Sequence, residues 1–140
     1  VGYLVADATT VTELARQQPL WPVSTPALAA MLACVQPAAV AAADEIAYGI
    51  AADRDHLLRA LADIPSIELP AASSSSFVLL HVPGGGRVRA GLRERGFAVR
   101  RGDTFPGLGA DWLRVAVRDT ACSDAFVAAL RDCVTDGPES

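Results

Sequence analysis

Arg100 and Arg114 stand where an extended chain would ordinarily carry apolar residues. The stretch from Gly96 to Arg118 reads GFAVRRGDTFPGLGADWLRVAVR. Its apolar runs, Phe97–Val99 and Trp112–Val117, predict two short strands, with a Pro106-Gly107 turn between them. Alternation in the second run places Trp112, Arg114 and Ala116 on one face and Leu113, Val115 and Val117 on the other. An unpaired charge buried in a strand is costly, so a guanidinium there needs water or an anion. Its planar fork meets a carboxylate or phosphate at two points. The chemistry expected of Arg100 and Arg114 is the clamping of an anionic small molecule, with no covalent step. A side chain that snorkels to water at a sheet edge is the alternative for Arg114.

Other residue clusters carry less. Gly84-Gly85-Gly86 with Arg87 lacks the Lys-Ser/Thr ending of a phosphate loop and reads as a turn. His56 lies among charges on a helix and is expected to be solvated. His81 ends an apolar run and is expected to pack rather than act as a base. Three cysteines, Cys34, Cys122 and Cys133, are an odd number without paired spacing. They suit a reducing compartment and give no metal pattern. No serine or cysteine sits in a nucleophile arrangement.

The elements that must position the arginines follow from periodicity. Tyr3–Val5 predicts a short strand. Asp7 or Thr10 caps a helix to about Gln18. An extended crossing runs from Pro19 to Pro26, then an Ala-rich helix to Val35, which Pro37 ends or kinks. A long helix is predicted over about 38–64, with Leu57, Leu61 and Ile64 on one side. The period then changes to two. Ile67–Leu69 and Phe77–Val82 predict strands joined by the Ala-Ser linker 71–76. A helix over 87–95 stops at Gly96. Thr120 or Ser123 caps a last helix carrying Phe126, Val127, Leu130, Cys133 and Val134, which Gly137-Pro138 ends before a mobile tail. From residue 66 onward the order is β-β-α-β-β-α, an α/β layer with a sheet covered by helices on one face.

Half the residues are hydrophobic, 20% are charged and the net charge is −4. That composition is globular and argues against a nucleic-acid partner, which would select a basic face. Residues 17–43 contain no charge, but four prolines and three glutamines interrupt them. A helix buried at a domain or subunit interface is expected there rather than a membrane span.

GFAVRRGDTFPGL followed by WLRVAVR resembles the C-terminal domain of pyridoxal-phosphate enzymes of the aspartate-aminotransferase fold. The resemblance is to the group of histidinol-phosphate aminotransferases and threonine-phosphate decarboxylases. Val1-Gly2-Tyr3 is similar to the end of that group's G-L-R-x-G-Y motif. Leu20-Trp21-Pro22-Val23-Ser24-Thr25-Pro26 is similar to its P-Y-P-L-S-T-P segment. Four pieces in the same order cover nearly the whole chain.

The resemblance implies that Arg100 and Arg114 bind the acidic group of a phosphorylated amino acid, with Arg101 an adjacent possibility for the first. It implies a small C-terminal α/β domain over 53–140, preceded by the end of a large cofactor domain and an interdomain helix over 1–52. It implies pyridoxal phosphate, a homodimer and a cytoplasmic enzyme, and it brings Trp21–Thr25 near an active site. All twelve basic residues are arginine; the chain contains no lysine. The Schiff-base lysine of the family is therefore expected in an N-terminal portion of the same enzyme, and the chain alone is expected to be inactive. Residues Phe105-Pro106-Gly107-Leu108 lean toward the decarboxylases of cobalamin synthesis. The alternative is a non-catalytic domain that binds an anion or a partner.

Overall fold

The computed structural model describes residues 2–70 and 73–135. The start of the Ala-Ser linker and the expected stop at Gly137-Pro138 lie outside them. The chain divides into two compact units, residues 1–45 and 46–140.

The first unit contains α1 (Ala8–Ala15), α2 (Thr25–Cys34) and the start of α3 (Pro37–Ala62), which runs across the division. Asp7 caps α1: its carboxylate accepts the amides of Thr9 and Thr10, both at 3.0 Å, and the Thr10 hydroxyl at 2.6 Å. These bonds hold the Asp7 carboxyl below its ordinary range, the Thr10 hydroxyl first among them. Pro26 occupies the first turn of α2, where its missing N–H is not needed. Neither helix buries any residue, and Leu20 and Trp21 are 94% and 89% exposed. The expected strand Tyr3–Val5 does not form. Among the described residues it has no partner strand, and an unpaired strand leaves its backbone groups unbonded. No single helix among the described residues is long and apolar enough to cross a membrane.

The second unit holds β1 (Phe77–His81), α4 (Gly85–Glu94), β2 (Arg100–Arg101), β3 (Trp112–Ala116) and α5 (Thr120–Thr135). The strands form one antiparallel sheet in the order β1-β3-β2. Val78, Leu80, Leu113 and Val115 point to one face and are buried. They share a core with Leu57 and Leu61 of α3, Val88 and Leu92 of α4, and Phe126, Val127 and Leu130 of α5. This is the expected small α/β layer, with helices packed on one face of a sheet.

Two expected strands are reduced. Of Ile67–Leu69 only Glu68 pairs, exchanging two 3.0 Å bonds with His81. Pro65 and Pro70 close in on both sides and cannot donate to a ladder. Phe97–Val99 serves the end of α4 instead of the sheet. The Phe97 amide returns to Leu92 O at 2.8 Å and the Gly96 amide to Arg93 O at 3.1 Å, a Schellman closure. The Phe97 ring then meets Phe126, edge to face, at 5.7 Å. The ladder begins only at Arg100.

The last helix is capped by neither Thr120 nor Ser123. Asp119 accepts the Cys122 amide at 2.9 Å, and Ser123 is buried, donating to Arg118 O at 3.1 Å. The Cys122 amide bond is the main reason the Asp119 carboxyl sits below its ordinary value of 3.8. His56, expected to be solvated, is half-buried and joins α3 to α5 through Asp124 at 2.6 Å.

Leu113→Ala, a truncation at a fully buried site, should cost about 2–5 kcal/mol in chemical denaturation. A lowered carboxylate pKa stabilises the folded state above the unfolded value, and that stabilisation is lost as pH falls. The stability difference between wild type and Asp119→Ala should therefore be constant near neutral pH and shrink as pH drops through and below 3.8. Thermal melts across that range read it directly.

Candidate functional site

Arg100 and Arg114 are cross-strand partners: the β2–β3 register places them directly opposite one another. Cross-strand partners project from the same face of a sheet, here the face away from the helical core. Phe77 and Leu79 of β1 lie on that face as well, with Leu79 opposite Arg114. Arg101 is opposite Leu113, and its guanidinium is engaged by Asp103 at 2.7 Å. The doubled arginine thus splits: Arg100 joins Arg114, and Arg101 makes a local ion pair.

The surroundings of the pair are aromatic. The Arg114 guanidinium carbon stands 4.4 Å from the Phe77 ring centre and 5.4 Å from that of Phe105. Arg100 approaches the same Phe105 ring at 5.7 Å. Among the described residues neither guanidinium has a carboxylate at ion-pair distance, and the buried Arg114 Nε has no hydrogen-bond partner. Other arginines differ: Arg87 donates to Cys133 O at 2.7 Å, Arg89 to Val99 O at 3.3 Å and Arg54 to Ser75 O at 3.2 Å.

Arg114 lines a cavity of about 460 Å³ with Ser73, Ser75, Phe77, Phe105, Pro106 and Leu108 among its walls. The loop that carries Phe105 is closed at its base by the Gly102 amide on Trp112 O at 2.6 Å. Only glycine fits at that base, since a Cβ there would lie 2.7 Å from the Trp112 carbonyl oxygen. Above it, Phe105-Pro106-Gly107-Leu108 is a type II turn: the Leu108 amide bonds Phe105 O at 3.1 Å, and Gly107 takes φ 87°.

The other clusters fall away from chemistry. The amide of Gly85, at the start of α4, is taken by the Asp111 carboxylate at 3.0 Å, which stands where a phosphate would have to be. Gly85 serves packing instead, lying against residues 110 and 111, and Gly84 takes the left-handed φ of 70° before the helix. His81 packs on Trp112, with ring centres 4.9 Å apart, and Glu68 is 3.5 Å from its Nδ1. A second cavity of about 250 Å³ has Cys122, Phe97 and Phe126 in its wall. The negative charge of Asp119 pushes the Cys122 thiol up, away from a reactive thiolate. Phe105 was not among the expected site residues; the sequence marked it only as the first residue of the Phe105-Pro106-Gly107-Leu108 segment.

The chain offers no attachment point for the Schiff base of pyridoxal phosphate. A chain with no lysine offers no ε-amino group to the cofactor's aldehyde. What the site offers is a pair of positively charged forks beside an apolar cavity.

A helix-backed antiparallel sheet that carries two arginines with no carboxylate partner among the described residues defines a small α/β domain with a cationic face. Residues 1–130 match the family "Aminotransferase class I and II", and the chain belongs to that family of pyridoxal-phosphate-dependent enzymes. A histidinol-phosphate aminotransferase of Mycobacterium tuberculosis (strain ATCC 25618 / H37Rv) is 38% identical over 118 residues, covering 84% of this chain and 32% of that protein. One from Acidovorax sp. (strain JS42) is 32% identical over 131 residues, 94% of this chain and 35% of that protein. The chain spans about a third of the length of these curated relatives. Among solved structures, L-threonine-O-3-phosphate decarboxylase from Porphyromonas gingivalis superposes with TM-score 0.78 at 18% identity. That match covers 94% of this chain and 41% of that one. A decarboxylase from Sulfurospirillum multivorans gives 0.79 at 20% identity, covering 91% and 37%. These likenesses show the shared fold.

Arg114→Met removes an unpaired Nε and one of two opposed like charges while keeping apolar length. Its stability without ligand should equal or exceed wild type by up to about 1 kcal/mol, read by denaturant titration. A loss of more than that would mean Arg114 is a structural residue.

Proposed function

We propose that this chain supplies the substrate-anion site of a pyridoxal-phosphate-dependent enzyme acting on a phosphorylated amino acid or amino alcohol. The observation that carries the reading is the pair Arg100 and Arg114 on one sheet face beside an apolar cavity, neither with a carboxylate at ion-pair distance among the described residues. Family membership over residues 1–130 supports the class of chemistry. The names of the relatives support two branches, histidinol-phosphate aminotransferase and threonine-phosphate decarboxylase.

In this reading Arg114 and Arg100 bind the acidic group of the substrate and fix its direction relative to the cofactor. They move no proton and form no covalent bond. The Schiff-base lysine comes from residues outside these 140, in an N-terminal portion of the same enzyme. The small substrate-binding domain comprises residues 53–140, and residues 1–52 belong with the cofactor domain. The apolar exposed surface of α1, α2 and residues 20–23 supports a covered position in the assembled enzyme. That enzyme is a homodimer in the cytoplasm.

In the assembled enzyme, Arg114→Ala should raise the substrate KM and lower kcat/KM by about two orders of magnitude or more, the loss of a charged two-point contact. Arg101→Ala, which removes a group already paired with Asp103, should leave kcat/KM close to wild type. Steady-state kinetics on the phosphorylated substrate tests both, and unchanged kinetics in Arg114→Ala overturns the anion-binding role.

A further inference from the structure

We propose that Phe105 is the positioning residue of the arginine pair, its one ring setting the direction of both guanidiniums. The inference rests on the reading of Arg100 and Arg114 as the anion site. Phe105 lies 5.4 Å from the guanidinium carbon of Arg114 and 5.7 Å from that of Arg100. Phe77 reaches Arg114 alone, at 4.4 Å. Phe105 is therefore the aromatic contact that the two cations share.

An aromatic partner suits an anion site for a chemical reason. A guanidinium carries its N–H donors around its edge and has no acceptor. A carboxylate partner would occupy that edge, as Asp103 does for Arg101. A ring attracts the cation through its negative face and leaves the N–H edge free for an incoming anion. The ring also attracts both cations, which offsets the repulsion of like charges directly opposed across a ladder.

The backbone at Phe105 is fixed well enough for this task. Its amide donates to Gly102 O at 2.8 Å and its carbonyl accepts from Leu108 at 3.1 Å. Gly102 is in turn tied to Trp112, at the start of β3. The ring thus has a fixed origin relative to the strand that carries Arg114.

The test uses the full 140-residue chain and the arginine Nε–Hε resonances in proton–nitrogen NMR spectra. In Phe105→Leu, which keeps apolar bulk and removes the ring, both Arg100 and Arg114 Hε should lose the Phe105 share of their ring-current shift and move downfield. In Phe77→Leu only Arg114 should move, and Phe105→Tyr should stay near wild type. Affinity for inorganic phosphate, read from the same spectra, should weaken about fivefold in Phe105→Leu and recover in Phe105→Tyr.

A folded Phe105→Leu with wild-type resonances and wild-type phosphate affinity overturns the proposal. If Phe105→Leu does not fold, Phe105→Trp decides: its larger ring current should move both Hε signals further upfield, and unmoved signals overturn the proposal. Should Phe105→Leu move both resonances while phosphate and acetate perturb neither arginine in wild type, the positioning role stands and the anion reading falls.

Discussion

Two positive charges face each other across the β2–β3 ladder, and most of what surrounds them answers to that fact. Like charges directly opposite weaken a sheet. A buried Nε without an acceptor adds a desolvation cost. Among the described residues no ion pair on their own face repays this. The compensation comes from the reverse side of the same strands. There Val78, Leu80, Leu113 and Val115 close against α3, α4 and α5. Because strand side chains alternate, one five-residue strand carries both Arg114 and the fully buried Leu113. The core and the charged face are inseparable in sequence and opposite in energetic sign.

The aromatic rings explain why this face is organised rather than splayed. Phe77 enters from β1 and Phe105 from the loop between β2 and β3. Their guanidiniums stand over these rings, and among the described residues neither meets a carboxylate at ion-pair distance. The apolar cavity beside Arg114 adds a low-polarity wall, which strengthens any charge pairing made there. The family to which the chain belongs uses a cofactor whose Schiff base needs a lysine, and this chain has none.

Helices were legible in the sequence because their signals are local. Proline in the first turn of α2, glycine after α4 and the leucine spacing of α3 each report on a few adjacent residues. The alternation that separates Arg114 from Leu113 is equally local, and it held. Strands were harder because pairing is a property of two segments. Tyr3–Val5 has the composition of a strand and no partner among the described residues. Phe97–Val99 has it too, but its amide and ring are recruited by the end of α4 and by Phe126. Asp119 went unseen as a cap because two hydroxyl residues followed it within four positions. Phe105 was invisible for a deeper reason. A ring lies over a guanidinium only once a turn, a loop closure and a strand register have all been set.

The closure of the loop by Gly102 on Trp112 has a consequence for how such a domain changes over time. The bond sits at the neck of the loop, so residues 103–109 can vary with little disturbance of the ladder, whereas Asp111 is tied to the amides of Gly85 and Val82. The buried core lies on the helical face, and the loop stands above the other. Sequence change in that loop can then reshape the cavity beside Arg114 and leave the core unchanged. Gly102 itself is the exception, because any side chain there would strike the Trp112 backbone and undo the neck. A single small residue thereby keeps variation in the cavity wall from becoming variation in fold.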